Sequence, residues 1–231
     1  MDGRSQSSSA RWRRRKEARP AEILAAALAS FAERGFAATR LEDVAARAGV
    51  TKGTLYLYFR NKEELFKAVV RQSLVPSIVR AETIVAQSDE PSMTLIERLL
   101  LQWAELATTP LSAIPKVILT EAGNFPELAR FYHEEVVRRG MAVFQAVLRR
   151  GVERGEFRPL DGELVIRCLI APLLLAMLWR HSFEAQAKGA LDVMALCRTH
   201  IDLLTHGLRR ARPKNAATAT EESEVSHEPA R

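Results

Sequence analysis

TRLEDVAARAGVTKGTLYLYFRNK, residues 39–62, reads as a short helix, a glycine turn and a second short helix. Leu41, Val44, Ala45 and Ala48 fall at i, i+3, i+4 and i+7, which is one apolar face of a helix. Thr39 followed three residues later by Glu42 is a capping-box signature, so the first helix is expected to start at Thr39. Gly49 ends it, as a residue that tolerates positive φ just past a helix end. Val50 returns the chain to the core, and Thr51-Lys52-Gly53-Thr54 opens the second helix. Leu55 and Phe59 share its inner face, which leaves Lys52, Thr54, Tyr56 and Tyr58 largely outside. Asn61 caps the next helix, with Glu64 closing a second box.

Charge gives this pair of helices a target. From Arg47 to Lys62 there are four cations (Arg47, Lys52, Arg60, Lys62) and no acid. A helix pair with a glycine turn, presenting hydroxyls, phenols and lysines at the start of its second helix, suits a DNA major groove. Spacing alone is equally compatible with two surface helices of an all-α protein. The caps, the turn and the one-sided charge favour DNA. Upstream, ARWRRRKEAR sets Arg11, Arg13, Arg14, Arg15, Lys16 and Arg19 against the single acid Glu17. Next to a DNA-reading domain, this basic arm suits phosphates or the minor groove rather than a merely solvated tail.

The segment FAATRLEDVAARAGVTKGTLYLYFRNKEELF closely resembles the N-terminal DNA-binding domain of TetR-type transcriptional regulators. The similarity extends back through 23–35 and on to about Val70, the first third of the chain; the remainder resembles the family only in being helical, apolar and of the right length. The resemblance implies a homodimeric repressor whose variable C-terminal domain binds a small molecule and releases DNA. It implies that Lys52, Gly53, Thr54 and Tyr56 lie at the groove. Thr39, Arg40, Tyr56, Tyr58 and Lys62 then contact phosphates, with Thr51 opening the reading helix. Lys52 and Thr54 are the candidates for base contacts, and Gly53 lets the backbone approach closely.

Composition bounds the alternatives. The 231 residues suffice for one large domain or two small ones, and 47% hydrophobic content can build a substantial core. A net charge of +6 suits an anionic partner. Cys168 and Cys197 form no disulfide framework, sit in helical apolar surroundings and fit a reducing cytosol. The polar, basic start has no apolar signal core, and the apolar stretch 164–179 is interrupted by Arg167 and Pro172, so no membrane span is expected and a cytoplasmic location is.

In chain order, the sequence predicts an all-α protein: a disordered basic arm (1–19), a three-helix helix-turn-helix domain (20–66), a helical ligand-binding and dimerisation domain (67–208) and a disordered tail (209–231). Leu24, Leu28 and Phe31 make the face of a helix stopped by Gly35. A long helix follows from Lys62 to about Gln87, with Pro76 kinking or ending it. Further helices are expected at 93–107, 111–122, 126–154, 162–187 and 191–208. The penultimate one is apolar nearly all round, with stripes of Ile166, Ile170, Leu174 and Met177 and of Leu169, Leu173 and Leu178. By the family resemblance, the last two helices form a two-fold interface. A dimer reads an inverted repeat whose half-sites lie about one turn, ~34 Å, or a multiple of it apart.

Trp103, Phe125, Phe131, Met141, Phe144 and Met177 offer an aromatic and methionine lining for an apolar or amphipathic ligand, with Glu121 as a polar partner inside it. For any single apolar one of them ordinary core packing is the better reading, and for Glu121 it is a solvated place on a helix surface. No histidine pairing has metal-ligand spacing, no phosphate-binding glycine loop occurs and no serine sits in a nucleophile elbow. The sequence therefore implies no cofactor, no metal and no enzyme. It leaves two rivals to the ligand-released repressor: a helical protein-interaction module without DNA, and a ligand-free activator.

Overall fold

A computed structural model describes residues 3–208, with side chains from Arg19 onward; the tail 209–231 lies outside the described residues. All regular structure in the described residues is helical: α1 (Gly3–Ala38), α2 (Leu41–Arg47), α3 (Lys52–Tyr58), α4 (Lys62–Ser73), α5 (Val75–Gln87), α6 (Ser92–Ala107), α7 (Ala113–Glu121), α8 (Pro126–Tyr132), α9 (Arg139–Glu153), α10 (Gly162–Arg180) and α11 (Val193–Leu208). The α1 backbone is helical from Gly3, through the segment expected to be a disordered arm. The side chains of Arg13, Arg14 and Arg15 lie outside those described.

Three helix starts carry side-chain caps, the one at Asn61 as expected. Thr51 Oγ1 accepts from the Thr54 N–H at 3.1 Å, Asn61 Oδ1 from Glu64 N–H at 2.8 Å, and Asp161 Oδ1 from Glu163 N–H at 3.0 Å. The Thr39 capping box does not form. Arg40 is the N-cap of α2 and has no side-chain cap bond. Gly35, at φ 78° and ψ 172°, turns the end of α1 so that Thr39 is buried, and its hydroxyl donates to Gly35 O at 2.6 Å, with Ser30 O at 3.2 Å. The last carbonyls of a helix have no partner within it, and here a buried threonine serves them.

Proline divides what was expected as one helix from Lys62 to Gln87. Pro76 has no N–H to give and sits in the first turn of α5, so α4 ends at Ser73 and the chain bends at Leu74. The span 126–154 is helical but not uniform: a π-helical segment, His133–Arg138, separates α8 from α9. Here Glu135 receives Arg71 of α4 at 3.3 Å, and next to it Arg139 of α9 makes a bidentate pair with Glu82 of α5. The penultimate helix stops at Arg180, short of the expected Ala187, and the last begins at Val193.

Two cores result. The first joins Phe31 and Phe36 with Leu41, Val44, Leu55, Phe66 and Val70, and it does not end at residue 66. It continues to Leu74 and takes in Ile114, Val117 and Ile118 of α7 and Leu128 and Phe131 of α8. Phe36 is its centre, with ring centroids 5.6 Å from Phe31, 5.7 Å from Phe66 and 4.8 Å from Phe125, mostly edge to face. The second core packs α6, α9, α10 and α11 through residues such as Leu95, Leu100, Phe144, Leu148, Leu169, Leu173 and Cys197. Helix α10 is long and apolar enough to cross a membrane by length and composition, yet Ile166, Leu169, Leu173 and Met177 are buried in this core. Of the expected stripes, members of both therefore face inward, and a different set faces out.

Two consequences are measurable. A Cβ at Gly151 would overlap the buried ring of Phe157, so Gly151→Ala is expected to destabilise the protein by roughly 1–3 kcal/mol, read as a lower denaturation midpoint by circular dichroism. Glu121 Oε1 accepts from the Ala37 N–H at 3.0 Å, so Glu121→Ala should speed hydrogen exchange at the Ala37 amide while the amides of α11 keep their protection.

Candidate nucleic-acid interface and regulatory core

The α2–α3 pair is held from beneath. Leu55 is fully buried, Phe59 nearly so, and Gly49 at φ 65° makes the turn that an L side chain resists. Thr51, Lys52, Gly53 and Tyr56 are exposed, Thr54 and Tyr58 are partly exposed, and Arg40 is exposed at the start of α2. Each residue of the set expected at the groove therefore keeps at least part of its surface open. The Thr51 and Thr54 hydroxyls lie 2.9 Å apart and order each other.

The electrostatics differ from those of the linear sequence. Acids from outside the 47–62 window reach into it. Glu33 makes a bidentate pair with Arg47, and Glu42 meets the Lys52 ammonium at 2.5 Å. That partner raises the Lys52 pKa, and Lys52 in turn lowers the Glu42 carboxyl. Both groups are well exposed, so the pair is weak and easily exchanged for another anion. Lys52 also lies 5.8 Å from the centre of the Tyr56 ring.

Two expected phosphate contacts are engaged inside the molecule. Thr39 is only 2% exposed, with its hydroxyl turned to α1. Lys62 donates from Nζ to Ala37 O at 2.8 Å and lies 4.7 Å over the Phe36 ring. Burial lowers the Lys62 pKa, against the opposing charge of Glu121. One residue of this face escaped the sequence reading. Leu57 is 84% exposed, one helical turn beyond Gly53 and opposite Leu55. Helical spacing from Leu55 was the signal that could have placed it.

The seven residues expected to line a ligand pocket do not meet in one place. Phe125, Phe131 and Glu121 belong to the junction with the first core: Phe125 packs on Phe36, Phe131 lies under Lys67 and Arg71, and Glu121 holds Ala37. Trp103, Met141, Phe144 and Met177 belong to the second core. An open cleft of about 550 Å³ lies between α5 and α9, lined by Val85, Ala142, Val143 and Ala146 with Arg149 and Arg150 at its edge, and none of the seven contributes to it.

Outside the second core, α10 carries Leu164, Cys168, Ala171, Leu175 and Trp179 along one exposed line. Leu203 of α11 is also exposed. Cys197 is buried, which pushes its thiol pKa up and disfavours the reactive thiolate. No group of acids, histidines and cysteines suited to a metal occurs among the described residues.

Comparison with known proteins agrees with this arrangement. Residues 23–69 match the family model of bacterial regulatory proteins of the tetR family, and 96–194 match that of the tetracyclin repressor-like C-terminal domain. The HTH-type transcriptional repressor KstR2 of Mycobacterium tuberculosis is 33% identical over 165 residues, spanning 70% of this chain and 80% of that protein. The structure of the ketosteroid transcriptional regulator KstR2 from the same organism superposes with a TM-score of 0.67 at 26% identity, covering 84% of this chain and 96% of its own. The structure of FadR from Bacillus subtilis, in complex with stearoyl-CoA, shares the fold with a TM-score of 0.65 at 23% identity, covering 80% of this chain and 97% of its own. The chain belongs to the TetR family, and it is a ligand-responsive, DNA-binding repressor of transcription rather than an enzyme.

Proposed function

We propose that the protein works in the cytoplasm as a homodimer that reads an inverted-repeat operator through α3 and is released by an amphipathic ligand with a large apolar body. The observation that carries this reading is the α3 surface, where Thr51, Lys52, Gly53, Thr54 and Tyr56 stand together above a rigid core. In this reading Lys52 and Thr54 contact base edges. Arg40, Tyr56 and Tyr58 contact phosphates, and the arm carrying Arg13, Arg14 and Arg15 adds phosphate contacts without base specificity. Thr39 and Lys62 contribute by shaping the turn, since their polar atoms already have partners in the fold.

The exposed line on α10 supports the two-fold. Leu175 is 63% exposed in the single chain, and apolar positions recurring at helical spacing over the whole of α10 need a cover. The second core supports the ligand class. Its side chains are apolar, with Trp103 and Met141 only partly buried. Stearoyl-CoA, held by the FadR structure, is an amphipath of that kind. The ligand acts by binding more tightly to a state in which the two reading heads are wrongly spaced; equal affinity for both states would shift nothing.

Selection of bound fragments from a random DNA pool tests the assignment. Wild type is expected to enrich an inverted repeat. Lys52→Ala should lose about 1–3 kcal/mol at one base pair per half-site and change the preferred base there. A uniform loss with unchanged preference would place Lys52 on phosphate instead. For the two-fold, Leu175→Glu should leave the circular dichroism spectrum intact and convert a dimer to a monomer by light scattering. A variant that stays dimeric would show that the interface lies elsewhere.

A further inference from the structure

We propose that Leu57 reads sequence: its side chain recognises the C5-methyl group of a thymine in each operator half-site. The inference rests on the reading of α3 as the DNA-facing helix.

Leu57 follows the buried Leu55 by two residues, about 200° around the helix, so it points directly away from the core. At 84% exposed it is the most open of the large apolar side chains in the described chain, and it joins neither core. Helical side chains lean toward the N-terminus, and the residue one turn earlier on this ridge is Gly53, which has no side chain to cover it. On either side stand Thr54, Tyr56 and Tyr58, all with polar tips. Leu57 is thus an aliphatic knob framed by hydrogen-bonding groups, on the ridge that α3 presents outward.

A leucine has no donor or acceptor, so it cannot read the hydrogen-bonding pattern of a base pair. The major groove offers one aliphatic feature, the thymine methyl, which distinguishes that base from all others. Contact between the two removes both from water, and deleting one methyl from such a contact corresponds to about a fourfold loss of affinity per half-site.

The test uses the operator recovered from a random pool by the full-length protein. Each thymine is replaced in turn by uracil in both half-sites, which deletes the methyl and leaves the hydrogen-bonding pattern intact. Binding of wild type and of Leu57→Ala is measured at one fixed salt concentration. At one thymine position uracil is expected to weaken wild type by about 15-fold over the two half-sites, while Leu57→Ala, folded by circular dichroism, binds both operators equally. The proposal is overturned if no position shows a methyl effect in wild type, or if the effect survives in Leu57→Ala. A wild type that enriches no operator overturns the operator reading itself, and this assignment with it.

Discussion

The backbone of Ala37 is held on both sides by charge. Its N–H goes to the Glu121 carboxylate from the end of α7, and its carbonyl accepts from the Lys62 ammonium at the start of α4. One partner belongs to the regulatory body and the other to the reading head. The kink at Gly35 makes this possible, because it swings Phe36 into the cluster of Phe31, Phe66 and Phe125 and leaves the two peptides flanking Ala37 each facing one of these elements. Without that turn α1 would run on straight, Thr39 would not be buried against it, and α2 would leave at another angle. The orientation of α3, and so of every side chain assigned to DNA, depends on this junction.

The same junction joins the reading head to the regulatory body by packing. The first core is not confined to the reading head, since Ile114, Val117, Leu128 and Phe131 come from helices of the regulatory body. A displacement of α7 or α8 is therefore a displacement of groups packed directly on α1 and α4. Close-packed interiors transmit such shifts rather than absorbing them. The α4–α5 bend at Leu74 and the pairs that Glu135 and Arg139 make with Arg71 and Glu82 fasten the opposite side of the same boundary.

What the sequence made legible was local and periodic. The α2–turn–α3 unit was readable because apolar spacing, Gly49 and the Asn61 cap agreed on its extent, although the Thr39 cap expected with them does not form. Thr39 was misread because a capping signature is defined by two residues and carries no information about Gly35 four positions upstream. The charge pattern misled for a similar reason: Glu33 and Glu42 lie outside the window yet inside the ion pairs. Aromatic content announced an apolar interior but not which interior, so Phe125 and Phe131 were grouped with Trp103 across a boundary that only packing defines. Six residues of π-helix are too few to disturb a period of 3.6. Leu57 went unremarked because an apolar residue in a helix is taken for core until its angle from Leu55 is counted.

The pairing of Lys52 with Glu42 has a kinetic side. A reading head with free cations adheres to any stretch of polyphosphate, and its residence on wrong sites lengthens accordingly. Here the leading lysine of α3 is already matched by an acid from α2, and Arg47 by Glu33, so an arbitrary phosphate must displace a carboxylate before it gains a contact. Both pairs are exposed, so the exchange costs little, and it weighs most at a site that supplies few other contacts. On the proposed reading of α3 as the DNA-facing helix, these pairs offset part of the positive charge that a random stretch of DNA meets, which favours short dwell on false sites in a search along a chromosome.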